Sequence, residues 1–558
     1  MSDQQHGNKA EIHTLLQPEN HNKKYESLFV EIDSGQIKLP MFQREFVWEK
    51  EQSAKLIDSI LKGFPIGTFI FWKTREELRS YKEVGNHTLP ETPKNDYVQY
   101  ILDGQQRITS LYAIRKGIRI TKDGKEIDYQ DIFINLNGKL DDDEPIVTTE
   151  IPQDAEQGRY VSVHKLLTKN ISDFFGSIPI EVIPLIEFYK GRLVNYDFST
   201  ITIKDYPIEI ACEVFSRINT GGKALTVFEI MVAKTYDEAK GFNLADKYDV
   251  LRDGSDEDKK CLALTKFETI PNSLIMQCVA AICKRAIRGR DILKIKREDF
   301  IAHWVPMTES LFSAIDFIRS ELRVPVSHLL PYPALLIPIT YFFYKTNNKK
   351  QTLNQGKLLE QYFYWVGLTE RYQSSSDSKI IEDFNKMDKI VEDQAPEYTI
   401  KEINYEEIKL VHFSSGNAFC KSILCLFAYN QPKSFDTNGS VILDNSNLKI
   451  ATSRNYHHFF PKKYLKDNVN DAEPNLISNI TLIDGYSNKH IIGKKSPKEY
   501  IEKLSSKNTE IAESLKSHLI SSVGGFGIDE NNYEKFIDRR SKAIADALCK
   551  KLLIATEK

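Results

Sequence analysis

At 558 residues the chain is longer than one hydrophobic core serves, so two or three domains are expected. Hydrophobic residues at 41% and charged residues at 27% fit an ordinary globular protein and exclude a fibrous or wholly disordered chain. The formal net charge of -3 excludes a globally basic nucleic-acid binder, so any such surface must be local.

Residues 1–22 are polar and are expected to be disordered. A helix is expected from Tyr25 to Gly35, followed by Ile37-Lys38-Leu39-Pro40-Met41-Phe42-Gln43-Arg44-Glu45-Phe46-Val47-Trp48. Leu56, Ile57, Ile60 and Leu61 mark one face of a second helix, Glu49 to Lys62, which Gly63 and Pro65 stop. Thr68 to Trp72 reads as a short buried strand.

Tyr97 to Leu111, with Asp103-Gly104-Gln105-Gln106-Arg107 at its centre, reads as strand, tight turn and helix. Asp103 is the expected N-cap and Gly117 the expected end of the helix. A helix start after a strand offers free N–H groups to an anion, and an arginine there can grip phosphate. The plainer reading pairs Arg107 with an internal carboxylate. Further on, Cys212 to Thr226 closes a helix at Asn219 and turns at Gly221-Gly222, where Lys223 could meet a phosphate but a plain helix corner is commoner. Thr226 and Glu229 then form a capping box. The acidic run Asp141 to Glu144 reads as a solvated hairpin tip.

From 227 to 430 the pattern is helical. Ser273 to Ala286, Glu309 to Glu321, Gly356 to Thr369, Ser378 to Val391 and Asn417 to Tyr429 carry apolar residues at three-and-four spacing. Seven cysteines form no Cys-x-x-Cys pair, so neither a disulfide framework nor a zinc site is indicated. The apolar run Tyr332 to Tyr344 is interrupted by prolines and shorter than the roughly 18 residues of a membrane span. No signal peptide opens the chain, and a cytoplasmic location is expected. Arg371, close to a helix end, is expected in a salt bridge.

The C-terminal part, 431–558, holds the one stretch whose residues suggest a reaction. Asn455-Tyr456-His457-His458-Phe459-Phe460-Pro461 is followed by Ser478-Asn479-Ile480-Thr481-Leu482-Ile483 and by Asn488-Lys489. A bare His-His pair is weak evidence, but this spacing resembles an HNH nuclease of the ββα-metal type. In that reading His457 and Asn488 hold a divalent ion, Mg2+ or Mn2+, which offsets charge on a scissile phosphate. His458, on the opposite face of the strand, is the general base, and Asn479 holds the loop or orients that base. Between Lys449 and Tyr500 nine Lys/Arg stand against five Asp/Glu. Lys462, Lys463, Lys489, Lys494 and Lys495 are therefore candidate DNA contacts. Helices are expected from 499 to 517 and from 531 to 554.

Leu39 to Trp48, Ile101 to Leu111 and Val214 to Thr226, in this order, resemble the N-terminal domain of the GmrSD family of modification-dependent (type IV) restriction enzymes. The HNH segment resembles the nuclease domain of that family, here in one chain as in BrxU and SspE. The resemblance implies an α+β multidomain protein. A ParB/sulfiredoxin-like domain would span 23–226, a helical domain 227–430 and an HNH domain 431–558. It implies that ATP, GTP or another NTP binds at Gln43, Arg44, Asp103, Gly104, Gln105, Gln106 and Arg107. It also implies cleavage of modified double-stranded phage DNA, regulated by that nucleotide. Two cuts in a duplex suit a homodimer or sequential nicking. The rival readings are a non-cleaving sensor of modified DNA and an NTPase whose chemistry lies at Asp103–Arg107.

Overall fold

A computed structural model describes residues 17–40, 46, 48–76, 78–93, 96–122, 125–140, 144–218, 226–255, 260–399, 403–448, 455–485, 488 and 492–552. Gln43, Arg44, Lys489, most of the acidic run at 141–144 and the turn at 219–225 lie outside the described residues. The chain is mixed α/β and divides into two compact units, 1–238 and 239–558.

The first unit is built on a five-stranded sheet. Its strands run in the order Glu19–Lys24, Asp197–Lys204, Phe69–Thr74, Val98–Asp103, Ile37–Lys38. The first and third of the four contacts are antiparallel, the second and fourth parallel. Val98–Asp103 is buried along nearly its whole length, which is why it reads as a continuous apolar run rather than an alternating one. Phe69, Phe71, Ile101 and Phe198 from the strands meet Leu28, Phe29, Ile57, Ile60, Leu61 and Leu111 from the helices in one core.

Local signals set the helix ends. Glu49 and Gln52 form a capping box at the start of Lys50–Lys62, and Gly63 closes it at φ 78°. Thr226 and Glu229 form the expected box before Val227–Thr235. The start of Gln105–Lys116 differs from expectation. The N-cap is Gly104 at φ 89°, not Asp103. A Cβ on Gly104 would stand 2.3 Å from Phe69 Cδ1, so only glycine lets the chain turn this tightly against the sheet. Asp103 is thereby released to bind Arg107 instead.

The second unit is largely helical, with Asn272–Lys284, Arg297–Ser320, Leu336–Lys345, Leu353–Leu368, Ser376–Val391 and Ala418–Tyr429 preceding a small hairpin and the final helix Tyr533–Lys551. Arg297–Ser320 begins well before the expected Glu309 and runs through Pro306. The stretch expected as one helix from 499 to 517 is two, Pro497–Ser505 and Ile511–Ser517. Asn508 makes the break. Its amide donates to Phe435 O at 3.0 Å and its side-chain oxygen accepts from Glu510 N at 3.0 Å, which satisfies backbone groups outside a helix.

Arg371 makes the expected ion pair, though deeper than a surface helix end. Asp383 is fully buried. It accepts from Arg371 Nη2 at 2.8 Å and from the hydroxyls of Tyr362 at 3.0 Å and Tyr372 at 2.8 Å. Burial pushes both phenols far above the usual tyrosine range, and the Asp383 charge pushes the same way. Breaking such a pair strands a buried charge. Asp383→Ala is expected to cost about 3–5 kcal/mol of stability, read by chemical denaturation. A loss no larger than that of an exposed substitution would show that the network carries no such weight.

Candidate active site

The two histidines lie on a two-stranded antiparallel hairpin. Tyr456–His458 pairs with Ile480–Leu482 in the register Tyr456↔Leu482, His457↔Thr481, His458↔Ile480. Strand alternation sends the two adjacent imidazoles to opposite faces.

His457 is 2% exposed. Its Nδ1 lies 2.8 Å from Thr481 Oγ1, the side chain directly across the hairpin. With an Nδ1–H donated to that hydroxyl, the lone pair is at Nε2, and Nε2 is buried with no hydrogen-bond partner. Burial, followed by the charges of His458, His518 and Arg540, holds His457 well below the usual histidine range. It is therefore the neutral imidazole that a metal ion requires.

His458 is half-buried. Its Nε2 lies 3.1 Å from Asn475 Oδ1, an acceptor, which leaves the Nδ1 lone pair open. Burial lowers its pKa to about 4, opposed by Asn475 and assisted by the Lys462 charge. The ring is neutral at physiological pH, the form a general base needs.

Asn479 is fully buried and fully used. Its Oδ1 accepts from Phe460 N at 2.8 Å, and its Nδ2 donates to Phe460 O at 3.0 Å and Pro474 O at 2.9 Å. Its backbone carbonyl accepts from Phe459 N at 2.8 Å. These contacts tie Asn479 to the loop at Phe460 and Pro474, while the amide that meets His458 belongs to Asn475. Asn488, half-buried, points its Nδ2 at Tyr456 O at 3.5 Å, so it reaches the same strand that carries His457. Lys462, Lys463 and Lys494 are exposed and Lys495 is half-exposed.

A buried arginine braces this hairpin. Arg540, on the final helix, is fully buried and donates from Nη1 to Ser478 O at 2.7 Å and from Nε to His518 O at 3.2 Å. Ser541 Oγ and Ser478 Oγ lie 2.8 Å apart beside it. Sequence reading missed Arg540, Thr481 and Asn475. Arg540 carried a signal, because it sits four residues from both Phe536 and Ile544 on an apolar helix face. Thr481 and Asn475 carried none that separates them from their neighbours.

Among the described residues no cluster of three or more His, Cys, Asp or Glu could hold a metal ion. The donors here are one imidazole and one amide, which suit an ion that fills its other positions with water or phosphate oxygens. An ion at His457 Nε2 would also satisfy a buried ring nitrogen that otherwise has no partner. On these grounds the residues fit a divalent ion.

The Asp103–Arg107 turn is differently organised. Arg107 donates from Nη2 to Asp103 Oδ2 at 3.0 Å and to Thr68 O at 3.1 Å, and from Nη1 to Ile66 O. Its guanidinium lies 5.1 Å from the Phe69 ring centre. A Cβ on Gly67, at φ 86°, would sit 2.4 Å from Arg107 Nη1, so this loop also needs glycine. Gln105 and Gln106 are buried, and Gln106 Oε1 accepts from Trp48 N at 3.3 Å. The internal pairing of Arg107 with Asp103, the plainer of the two readings, is thus present, and the arginine ties the loop 66–68 to the helix start.

Residues 25–236 match the family described as the GmrSD restriction endonuclease, N-terminal domain. The match falls within the first compact unit, and the His-His hairpin lies beyond it. It supports a GmrSD-type reading of the N-terminal motifs and points to a restriction-endonuclease type of function, with DNA as the implied partner. An uncharacterized protein of Methanocaldococcus jannaschii is 24% identical to this chain, over 92% of this chain and 96% of its own length. Among the described residues no helix is long and apolar enough to cross a membrane.

The buried histidines link stability to pH. His458, at about 4, and His518, at about 3, stay neutral in the folded chain, whereas unfolded histidines protonate near 6.5. Their contribution is fully present above pH 6.5 and is lost as pH falls from there toward 4, by up to about 1.4 kcal/mol per pH unit for each histidine. Denaturation in chelator across this range should give stability falling with acid, with a shallower slope in His518→Gln. An unchanged slope in that variant would mean His518 takes up its proton in the folded chain.

Proposed function

We propose that this chain is a metal-dependent DNA endonuclease of the HNH type whose chemistry takes place at the His-His hairpin. One observation carries the reading. Two adjacent histidines face opposite sides of the hairpin, each fixed through one ring nitrogen by a neutral partner, and the other nitrogen of His457 is buried without a partner. His458 takes a proton from the attacking water at Nδ1 while Asn475 holds its ring. His457 Nε2 and Asn488 hold the divalent ion, Mg2+ or Mn2+, which when bound offsets the charge that builds on the scissile phosphate. Asn479 keeps the strand and the following loop in place. Lys462, Lys463, Lys494 and Lys495, with Lys489, meet the DNA backbone.

The first unit supplies regulation in this proposal. An NTP binds at Asp103–Arg107 with Gln43 and Arg44, and modified phage DNA is the target, so the protein serves in antiviral defence. A second reading has one observation in its favour. His457 is closed in by the rings of Phe435, Phe459 and Tyr500, with centroids 6.3–6.5 Å away. A hairpin packed this tightly would also suit a non-cleaving sensor of modified DNA.

The test is cleavage of modified and unmodified phage DNA with Mg2+ or Mn2+, with and without ATP or GTP. His458→Ala is expected to lower the rate by about 10²–10⁴-fold with the fold intact, and chelator to abolish it. Cleavage by His458→Ala at the wild-type rate would remove His458 as the base. DNA bound but never cut, under all these conditions, would favour the sensor.

A further inference from the structure

At one end of the five-stranded sheet three cations gather on a single ring. Lys73 Nζ lies 5.5 Å, Arg75 Cζ 4.7 Å and Lys204 Nζ 5.6 Å from the centre of Tyr97. Arg75 and Lys204 are exposed, Lys73 and Tyr97 half-buried. Lys204 and Lys73 are register partners on neighbouring parallel strands. Like charges set directly opposite each other in a sheet are unfavourable. Among the described residues no ion pair neutralises any of the three.

Among the described residues, Tyr97 also holds two carboxylates beside these cations. Tyr97 OH donates to Asp205 Oδ2 at 3.2 Å, and Tyr97 N donates to Asp96 Oδ1 at 2.7 Å. Asp205 is itself held at φ 57° by its N–H on Lys73 O at 2.9 Å. The ring is therefore held at its hydroxyl, and it serves as a post on which three cations without an ion pair among the described residues are collected. With Lys73, Arg75 and Lys204 set against Asp96 and Asp205, basic groups are in excess at this end of the sheet. This excess suits a polyanion that arrives from solvent.

We propose that Lys73, Arg75, Lys204 and Tyr97 form a DNA-backbone binding platform on the first unit. The platform is separate from the Asp103–Arg107 turn, which lies at the other end of the strand Val98–Asp103, about 20 Å away at the usual rise per residue. Its cations would meet phosphodiester oxygens, the contacts that position a protein on a duplex. It rests on DNA being the partner and is independent of the chemistry at the hairpin.

The experiment measures binding of the full chain, in chelator, to a labelled duplex of about 30 base pairs by anisotropy over roughly 50–300 mM salt. Lys73→Ala/Lys204→Ala is expected to weaken binding about tenfold at the low-salt end and to flatten the log–log salt slope by about 1–2. Arg75→Gln, at an exposed position, should flatten it by about 1 without lowering the melting temperature. Tyr97→Phe keeps the ring and should bind as wild type, whereas Tyr97→Ala should bind as the double variant. Wild-type affinity and slope in both the double variant and Arg75→Gln would overturn the proposal, as would a wild-type chain that does not bind the duplex. A flattened slope in a protein that never cuts DNA would refute the nuclease reading alone. Normal cutting with an unchanged slope would refute the platform alone.

Discussion

The hairpin that carries the two histidines depends on one buried amide. Asn479 has no exposed surface and no unused donor, and its three side-chain hydrogen bonds clamp both backbone groups of Phe460 and the carbonyl of Pro474. A two-stranded ribbon with three residues per strand is not stable by itself. Here the clamp fixes the chain just after His458, Thr481 fixes His457 from across the ribbon, and Arg540 holds Ser478 O just before the second strand. Losing the amide would leave buried backbone groups unpaired and release both rings. The orientation of the histidines is a property of this frame rather than of the strand alone.

The first unit uses the same device with charge. Arg107 joins Asp103, in the turn just before it, to Thr68 and Ile66 in one loop far back in the sequence, and two glycines let the chain come close enough for it to do so. Glycine is required at 67 and 104 because both sit at positive φ, and at 104 a Cβ would also occupy the space of the Phe69 ring. The motif therefore has a structural task that stands whether or not a nucleotide also binds there. In both units a planar polar side chain, amide or guanidinium, satisfies several backbone carbonyls at once and fixes a tight turn beside a strand.

Periodic helices and capping boxes were legible because their causes are local. Thr226 with Glu229, and Gly63 after Lys62, act within a few residues of themselves. The histidine pair and Asn479 were legible as a spacing. Their hydrogen-bond partners were not, since Asn475 and Thr481 are chosen by three-dimensional proximity and look like any polar residue in a loop or strand. Asp103 was read as a cap because its residue type suits one. A steric fact elsewhere, the Phe69 ring against Gly104, moved the cap by one residue. The break at Asn508 was missed for a similar reason, because its partner Phe435 O lies 73 residues away.

The central claim is that the unpartnered Nε2 of His457 is a metal donor, and Mn2+ binding tests it most directly. Titration of the full chain, followed by the electron paramagnetic resonance signal of free Mn2+, should show one site in the wild type. That site should weaken by tenfold or more in His457→Ala and in Asn488→Ala, which remove the donors, and should persist in His458→Ala, which removes only the base. Undiminished Mn2+ binding in His457→Ala would contradict the account, whatever the protein does to DNA.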